Sequence, residues 1–391
     1  MKRGVVFFLF LISIPIQSIV VAQTISDPIQ HVLKNQILQQ AQWALSQKPI
    51  TITSFQSSRS AGGIHDFFSE GDYWWPNPED PNGPYVQKDG LTNPANFTEH
   101  RKAMIQFSRI VGTLTSAYLL TKETRYVDHA LSHLKAWFVD TTTLMNPSLL
   151  YAQAIKGKVS GRSIGIIDMI QLVEVAQAVR IMEKQSLLTK ENLIPIKNWF
   201  AKYLAWVTQH SYGIEERDTK NNHATCWVMQ VAVFAKLVNN DSIANDCSDR
   251  FKKILLPNQM EKDGSFPLEL KRSKPFGYSL FNLDAMTTIC QILSKPGDNL
   301  WDFALSDGRT IKKGIDFMFP FVADKNKWPF TQDVMYWNEW PIAQSFLLFG
   351  SLHYNNSLWF NCWKKLDHNP TIDEIVRNFP IRNPLLWVQN I

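Results

Sequence analysis

Residues 96–121 read NFTEHRKAMIQFSRIVGTLTSAYLLT. Ala103, Ile105, Ile110, Val111, Leu114, Ala117 and Leu120 recur there at helical spacing, with Asn96 or Thr98 placed as the cap. Similar stripes run through 126–138, 166–182, 194–207, 224–238, 280–293, 301–319 and 342–349. Short polar or Pro/Gly punctuation separates them, as at Thr121-Lys122-Glu123 and Ser294-Lys295-Pro296-Gly297. Alternating β-type runs are scarce after residue 50. The residues therefore predict an all-α domain of stacked helix pairs. No fixed-period repeat accompanies the stripes, and no linker rich in Ser, Gly or charge divides the chain.

Two segments break the helical pattern. Residues 60–95 are dense in Gly, Pro, Asn and Asp and carry Tyr73, Trp74, Trp75 and Tyr85. So long an irregular run inside a compact domain is usually functional, and loops run over surfaces, so these rings cannot all be core. The second segment, 148–163, carries Tyr151, Gln153, Gly157, Gly161 and Arg162.

The chain has 391 residues, 45% hydrophobic, 12% aromatic and 19% charged. That composition supplies a large core and excludes an intrinsically disordered chain. A formal net charge of +5 on this length does not argue for a nucleic-acid binder. Fourteen Trp imply either a thick aromatic core or a cleft lined for stacking. Residues 1–22 read as an export signal: Lys2 and Arg3, an apolar run over 5–15, and Val20-Val21-Ala22 as the cleavage site before Gln23. The apolar run is too short for a membrane span, and no Cys follows it to take a lipid anchor. The mature chain, 23–391, is expected to be one soluble domain, monomeric, free of the membrane, and periplasmic or secreted. Cys226, Cys247, Cys290 and Cys362 form no Cys-x-x-Cys pair, and buried free thiols are the preferred reading.

Three constellations could carry chemistry. One is Asn221-Asn222-His223, with the Asn residues capping a helix that continues through Cys226 and Trp227. Another is Glu269-Leu270-Lys271-Arg272 followed by Tyr278, with Pro275 and Gly277 making a turn between them. The third is the aromatic loop His65-Asp66 and Asp72-Tyr73-Trp74-Trp75-Pro76. Asn, His and Arg together can grip a carboxylate, Arg bidentately. A Tyr beside Arg and His is expected to have its phenol pKa lowered by their charge, which suits proton shuttling. The set matches abstraction of a proton α to a carboxylate.

Plainer readings stand beside these. Asn222-His223 reads equally as a cap with a packed His, Arg272 and Tyr278 as a surface contact, and Tyr73 to Trp75 as a plug on one end of the bundle. Asp66, Asp72 and Asp168 are candidates for a glycoside hydrolase pair, though turn and cap roles suit them better. His129 and His133, at i and i+4, share a helix face that could bind zinc, but no Glu follows His129 as in zinc proteases. Neither a metal nor an organic cofactor is expected.

The strings HDFFSEGDYWWPNPEDPNGPYVQKDGLTNP (65–94), YAQAIKGKVSGRSIGIID (151–168), NNHATCW (221–227) and LELKRSKPFGYSLFNLDAM (268–286) resemble, in that order, segments of the alginate-lyase-like family of polysaccharide lyases. The resemblance implies an (α/α) toroid with a long aromatic lid loop, and β-elimination on an anionic uronic-acid polysaccharide such as polymannuronate or glucuronan. It implies that Asn222 and Arg272 neutralise the uronate carboxylate and that Tyr278 protonates the leaving oxygen. Tyr278 or His223 would remove the carbon 5 proton, depending on the face of the sugar. Tyr73, Trp74 and Trp75 would line the lid or subsite wall, and Tyr151, Arg162 and Asn221 would add substrate contacts. Ala224 stands where many relatives carry an aromatic, and Ser273 where a Thr is expected; neither touches this chemistry. The rival readings are a glycoside hydrolase on a similar toroid and a non-catalytic uronate-oligosaccharide binding protein.

Overall fold

Two kinds of helix alternate along the chain, and burial tells them apart. α1 (Val20–Ser46) packs on α2 (Glu99–Thr121) and α3 (Arg125–Phe138). There follow α4 (Leu172–Lys184), α5 (Lys190–Gln209), α6 (Ser211–Arg217), α7 (Asn222–Leu237) and α8 (Asp241–Arg250). α8 runs through a π-helical turn (Phe251–Leu255) into α9 (Leu256–Gln259). The rest are α10 (Pro267–Leu270), α11 (Pro275–Leu293), α12 (Ile311–Ala323), α13 (Ser345–His353), α14 (Ser357–Trp363) and α15 (Asp373–Arg377). This computed structural model describes the backbone of residues 20–389 and the side chains of 28–389; the expected leader, 1–22, lies outside the fully described residues.

In α7, fourteen of 16 residues are buried, and in α11 sixteen of 19. A helix apolar on every side belongs inside. α3 instead buries a single stripe, Tyr126, Val127, Ala130, His133, Leu134, Trp137 and Phe138, and α5 and α12 do likewise. Accordingly α2, α4, α7, α11 and α13 pack successively on one another as an inner layer, and α3, α5, α8, α12 and α14 cover them. The arrangement is an (α/α) toroid. Phe234 of α7, fully buried against Phe200 and Tyr203 of α5, joins the two layers. Truncating it to Ala removes about 3–5 kcal/mol.

The C-terminal segment is tied to helices far apart in sequence. Gln36 of α1 donates to the His368 carbonyl at 3.0 Å, and Gln177 of α4 and Gln291 of α11 donate to the carbonyls of Leu386 and Trp387. Apolar burial is continuous from Ile29 to Trp387. Nine of the fourteen Trp are buried, so most of the tryptophan builds core.

The two irregular segments join into one structure. β1 (Phe68–Glu70) pairs in parallel with β4 (Tyr151–Ala154), with Phe68 opposite Tyr151. β2 (Trp74–Trp75) pairs antiparallel with β3 (Val86–Gln87).

Some expectations need correction. The 301–319 stripe is helical only from Ile311, because Gly308 adopts φ +81° in a turn and Thr310 then caps α12 by accepting from Lys313 N. The 166–182 stripe begins as a 3₁₀ helix (Ser163–Gln171). α1, α8 and α14 were not expected. Among the described residues no helix is long and apolar enough to cross a membrane, and all four Cys are free.

Candidate active site

The N-terminal turns of α7 and α11 border a cleft of about 670 Å³. On the α7 side, Asn221 is the cap and its side-chain oxygen accepts from His223 N. Asn222 is buried, and its backbone N–H and side-chain amide donate to the two Glu269 oxygens, each at 2.7 Å. Burial pushes the Glu269 carboxyl up, although both Asn222 bonds oppose this. His223 lies with Nδ1 2.6 Å from Oε1 of Glu216, a fully buried residue of α6. A carboxylate only accepts, so Nδ1 carries a proton, and in the neutral ring Nε2 is the nitrogen left with a lone pair; it has no protein partner among the described residues.

On the α11 side, Pro275 supplies a fixed first helical position and Asp333 accepts from the N–H groups of Phe276 and Gly277 at 2.8 and 2.9 Å. Gly277 is required: a Cβ there would lie 2.8 Å from the Trp340 ring nitrogen. Tyr278 follows, its hydroxyl 2.8 Å from that of Tyr73. Arg272 sits 4.4 Å over the Tyr278 ring centroid and donates to Asp89 through Nη2 at 2.9 Å.

The expected lowering of the Tyr278 phenol is overturned. Burial and the neighbouring Tyr73 push it well above its ordinary value, and Lys274 and Arg272 only partly oppose them. Desolvating a phenolate costs more than two cations return. In this cleft the Tyr278 phenol is therefore held neutral.

A buried ion network stands behind these groups. Asp72 is paired with Arg101 at 2.7 Å and with Arg377; Arg101 also pairs with Asp168, and Glu374 holds Lys274 at 2.6 Å. The Lys274 ammonium lies 4.9, 5.5 and 5.4 Å from the ring centroids of Tyr73, Tyr278 and Tyr336. Burial would raise the Asp72 carboxyl, but Arg101 and Arg377 hold it well below the carboxylate range.

Tyr73, Trp74, Arg162, Asn221, Asn222, His223, Arg272 and Tyr278 all line the cleft. Arg162 lies 5.9 Å from the Trp74 ring and donates to the carbonyl and side chain of Gln153. Trp75 and Tyr151 are not among the lining residues. Trp75 donates its indole N–H to the Leu91 carbonyl and sits under Lys88, tied up within its own loop. Tyr151 has its ring against Gly62, where a Cβ would meet it at 2.5 Å.

The hydrolase candidates do not form an acid pair. Asp66 accepts from Gly63 N and Asn146, and Asp72 and Asp168 share Arg101. His129 and His133 both approach the Gln47 carbonyl, at 2.9 and 3.3 Å, and serve to anchor the end of α1. Among the described residues no group of three or more His, Cys, Asp or Glu is placed to hold a metal ion.

The alginate lyase family model matches residues 51–328, a span that contains every cleft residue of α7 and α11. The chain belongs to the alginate lyase family. It is a polysaccharide lyase. It is similar to an alginate lyase from Bacteroides ovatus at 29% identity, over 95% of this chain and 96% of that one, with a TM-score of 0.79. It shares its fold with alginate lyase A1-III from Sphingomonas species A1 at 14% identity, over 90% and 94% of the two chains, with a TM-score of 0.56. A variant of alginate lyase A1-III complexed with tetrasaccharide is similar at 13% identity, over 91% and 94%, with a TM-score of 0.59. No curated protein matches the chain in sequence.

For this alginate lyase family member, sequence reasoning missed Glu216, Asp89, Lys274, Glu374 and Arg377, and gave Glu269 no role. The only signal for Glu269 was its place three residues before Arg272. Nothing local marks Arg377, which reaches the cleft from α15, 99 positions after Tyr278.

Proposed function

We propose that the protein is an exported, monomeric lyase of uronic-acid polysaccharide, of the alginate or glucuronan kind, cutting by β-elimination. The single observation that carries this is the pairing, in one cleft, of a tautomerically fixed His223 with a neutral Tyr278, beside Arg272 and Asn222. The similarity to an alginate lyase and to a tetrasaccharide-bound relative supports the substrate class. Residues 1–22 support export to the periplasm or medium.

In this reading Arg272 and the free amide hydrogen of Asn222 bind the uronate carboxylate, exchanging with Asp89 as the partner of Arg272. The N-terminal partial charges of α7 and α11 add to that field. Drawing charge from the carboxylate acidifies the hydrogen on carbon 5. His223 Nε2 takes that proton, and the released electron pair forms the carbon 4–carbon 5 double bond as the carbon 4–oxygen bond breaks. Tyr278 gives its proton to the departing oxygen. No water is consumed, and the new non-reducing end is a 4,5-unsaturated uronate. Trp74 and Arg162 form a wall for the neighbouring sugar.

The test is ultraviolet absorbance with polymannuronate, polyguluronate, glucuronan and a neutral glucan offered separately. Absorbance rising with a uronate polymer and not with the glucan is the expected result. New reducing ends without absorbance would mean hydrolysis and overturn the proposal.

A further inference from the structure

A second cavity, of about 520 Å³, lies on the far side of the Asp72–Arg377 pair, and those two residues line both spaces. The same loop covers both: Trp74 and Asp89 border the first, Thr92 and Asn93 the second. The second cavity is not a leftover of helix packing, because its walls are polar and aromatic. Arg109 of α2 lies 5.0 Å over the Trp43 ring and has no carboxylate partner among the described residues. It also disfavours the charge on Arg382, another buried cation. The remaining charges at the cavity balance within it: Arg101 and Arg377 with Asp72 and Glu374, and Lys102 with Asp373 at 3.5 Å. Arg109 is thus the surplus charge.

One further observation bears on the rim of the cavity. Tyr336, at the cavity rim, holds φ +64°, a conformation a bulky residue adopts only when its surroundings enforce it. A guanidinium held on an indole, without a carboxylate partner and in a polar cavity, is the group that recognises the carboxylate of an acidic sugar.

We propose that this cavity is a second saccharide site, taking a uronate unit of the same polymer remote from the bond that is cut, with Arg109, held on the Trp43 ring, as its carboxylate partner. The inference rests on the uronate reading above. It makes affinity depend on chain length: a chain too short to pass the Asp72–Arg377 pair fills only the cleft, whereas a longer one gains the Arg109 contact.

The test is calorimetric binding of oligomannuronates of three and of eight units, on a Tyr278→Phe background so that neither ligand is consumed. The eight-unit chain should bind at least tenfold tighter than the three-unit chain, and Arg109→Gln should abolish that difference while leaving the three-unit affinity unchanged. Arg109→Lys, which keeps the charge but loses the planar fork, should retain part of the gain, and equal thermal unfolding of all variants checks the fold. Equal affinities for the two lengths, an unchanged difference in Arg109→Gln, or loss of three-unit binding as well would each overturn the proposal. Failure of the lyase reading shows up separately, as no ultraviolet absorbance from the unsubstituted enzyme with any uronate polymer.

Discussion

The Tyr73 and Tyr278 hydroxyls lie 2.8 Å apart, one carried by the loop and the other by the first turn of α11. Tyr73 is one reason, after burial, that the phenol is held above its ordinary value. Tyr73→Phe removes the contact at the cost of one neutral hydrogen bond, about 1 kcal/mol. Turnover should fall roughly five- to tenfold, and the alkaline limb of the kcat profile should move to lower pH. A pH–rate series on both proteins checks this; an unmoved limb would deny Tyr73 its part in tuning Tyr278.

Glu216 holds the His223 ring through Nδ1 at 2.6 Å from a fully buried position. Glu216→Gln keeps the size but no longer demands a proton on Nδ1, so Nε2 is not reliably the free lone pair. The expected result is a drop in kcat of roughly 10²–10⁴-fold, the range a positioned base supplies, with KM within a few fold. Steady-state kinetics separate the two; a rise in KM alone would assign Glu216 to substrate binding.

The short contiguous motifs of this site were legible in the sequence, and the supporting charges were not. Asn222-His223 follows its own cap, and Arg272 stands just before α11 with Tyr278 in its first turn, so chain connectivity alone brings each pair to a helix start. Glu216 and Glu269 look like ordinary surface carboxylates in a string of letters; only the folded ring turns them inward. The sign of the Tyr278 shift is hidden from the sequence for the same reason. The sequence shows Arg272 next to Tyr278 but not that the phenol is buried, and burial is the larger effect. Trp75 is adjacent to Trp74 in sequence, but alternation along β2 sends neighbouring side chains to opposite faces.

Asp284, buried in α11, accepts from Ser345 and from Phe346 N at the start of α13, with no cation beside it, and burial raises its carboxyl to about 7. A raised acid favours the protonated folded state, so its contribution is complete below pH 3.8 and is lost as pH climbs to about 7. Asp284→Asn keeps the acceptor and removes the titration. Its stability relative to the unsubstituted protein should therefore improve steadily from pH 4 to pH 7 and then level off, by a few kcal/mol in all. Urea unfolding at stepped pH measures the difference; a flat difference would mean that Asp284 is ionised throughout.

The most direct test of the proposed chemistry is the initial rate of unsaturated-uronate formation by Tyr278→Phe. That change deletes one hydroxyl and leaves the ring, its burial and the Arg272 stacking in place. The proposed elimination predicts a loss of roughly 10²–10⁴-fold in kcat with a melting temperature lowered by no more than about a few degrees, because the leaving oxygen then has no proton donor while the fold loses one hydrogen bond. A variant that keeps most of its rate would contradict it.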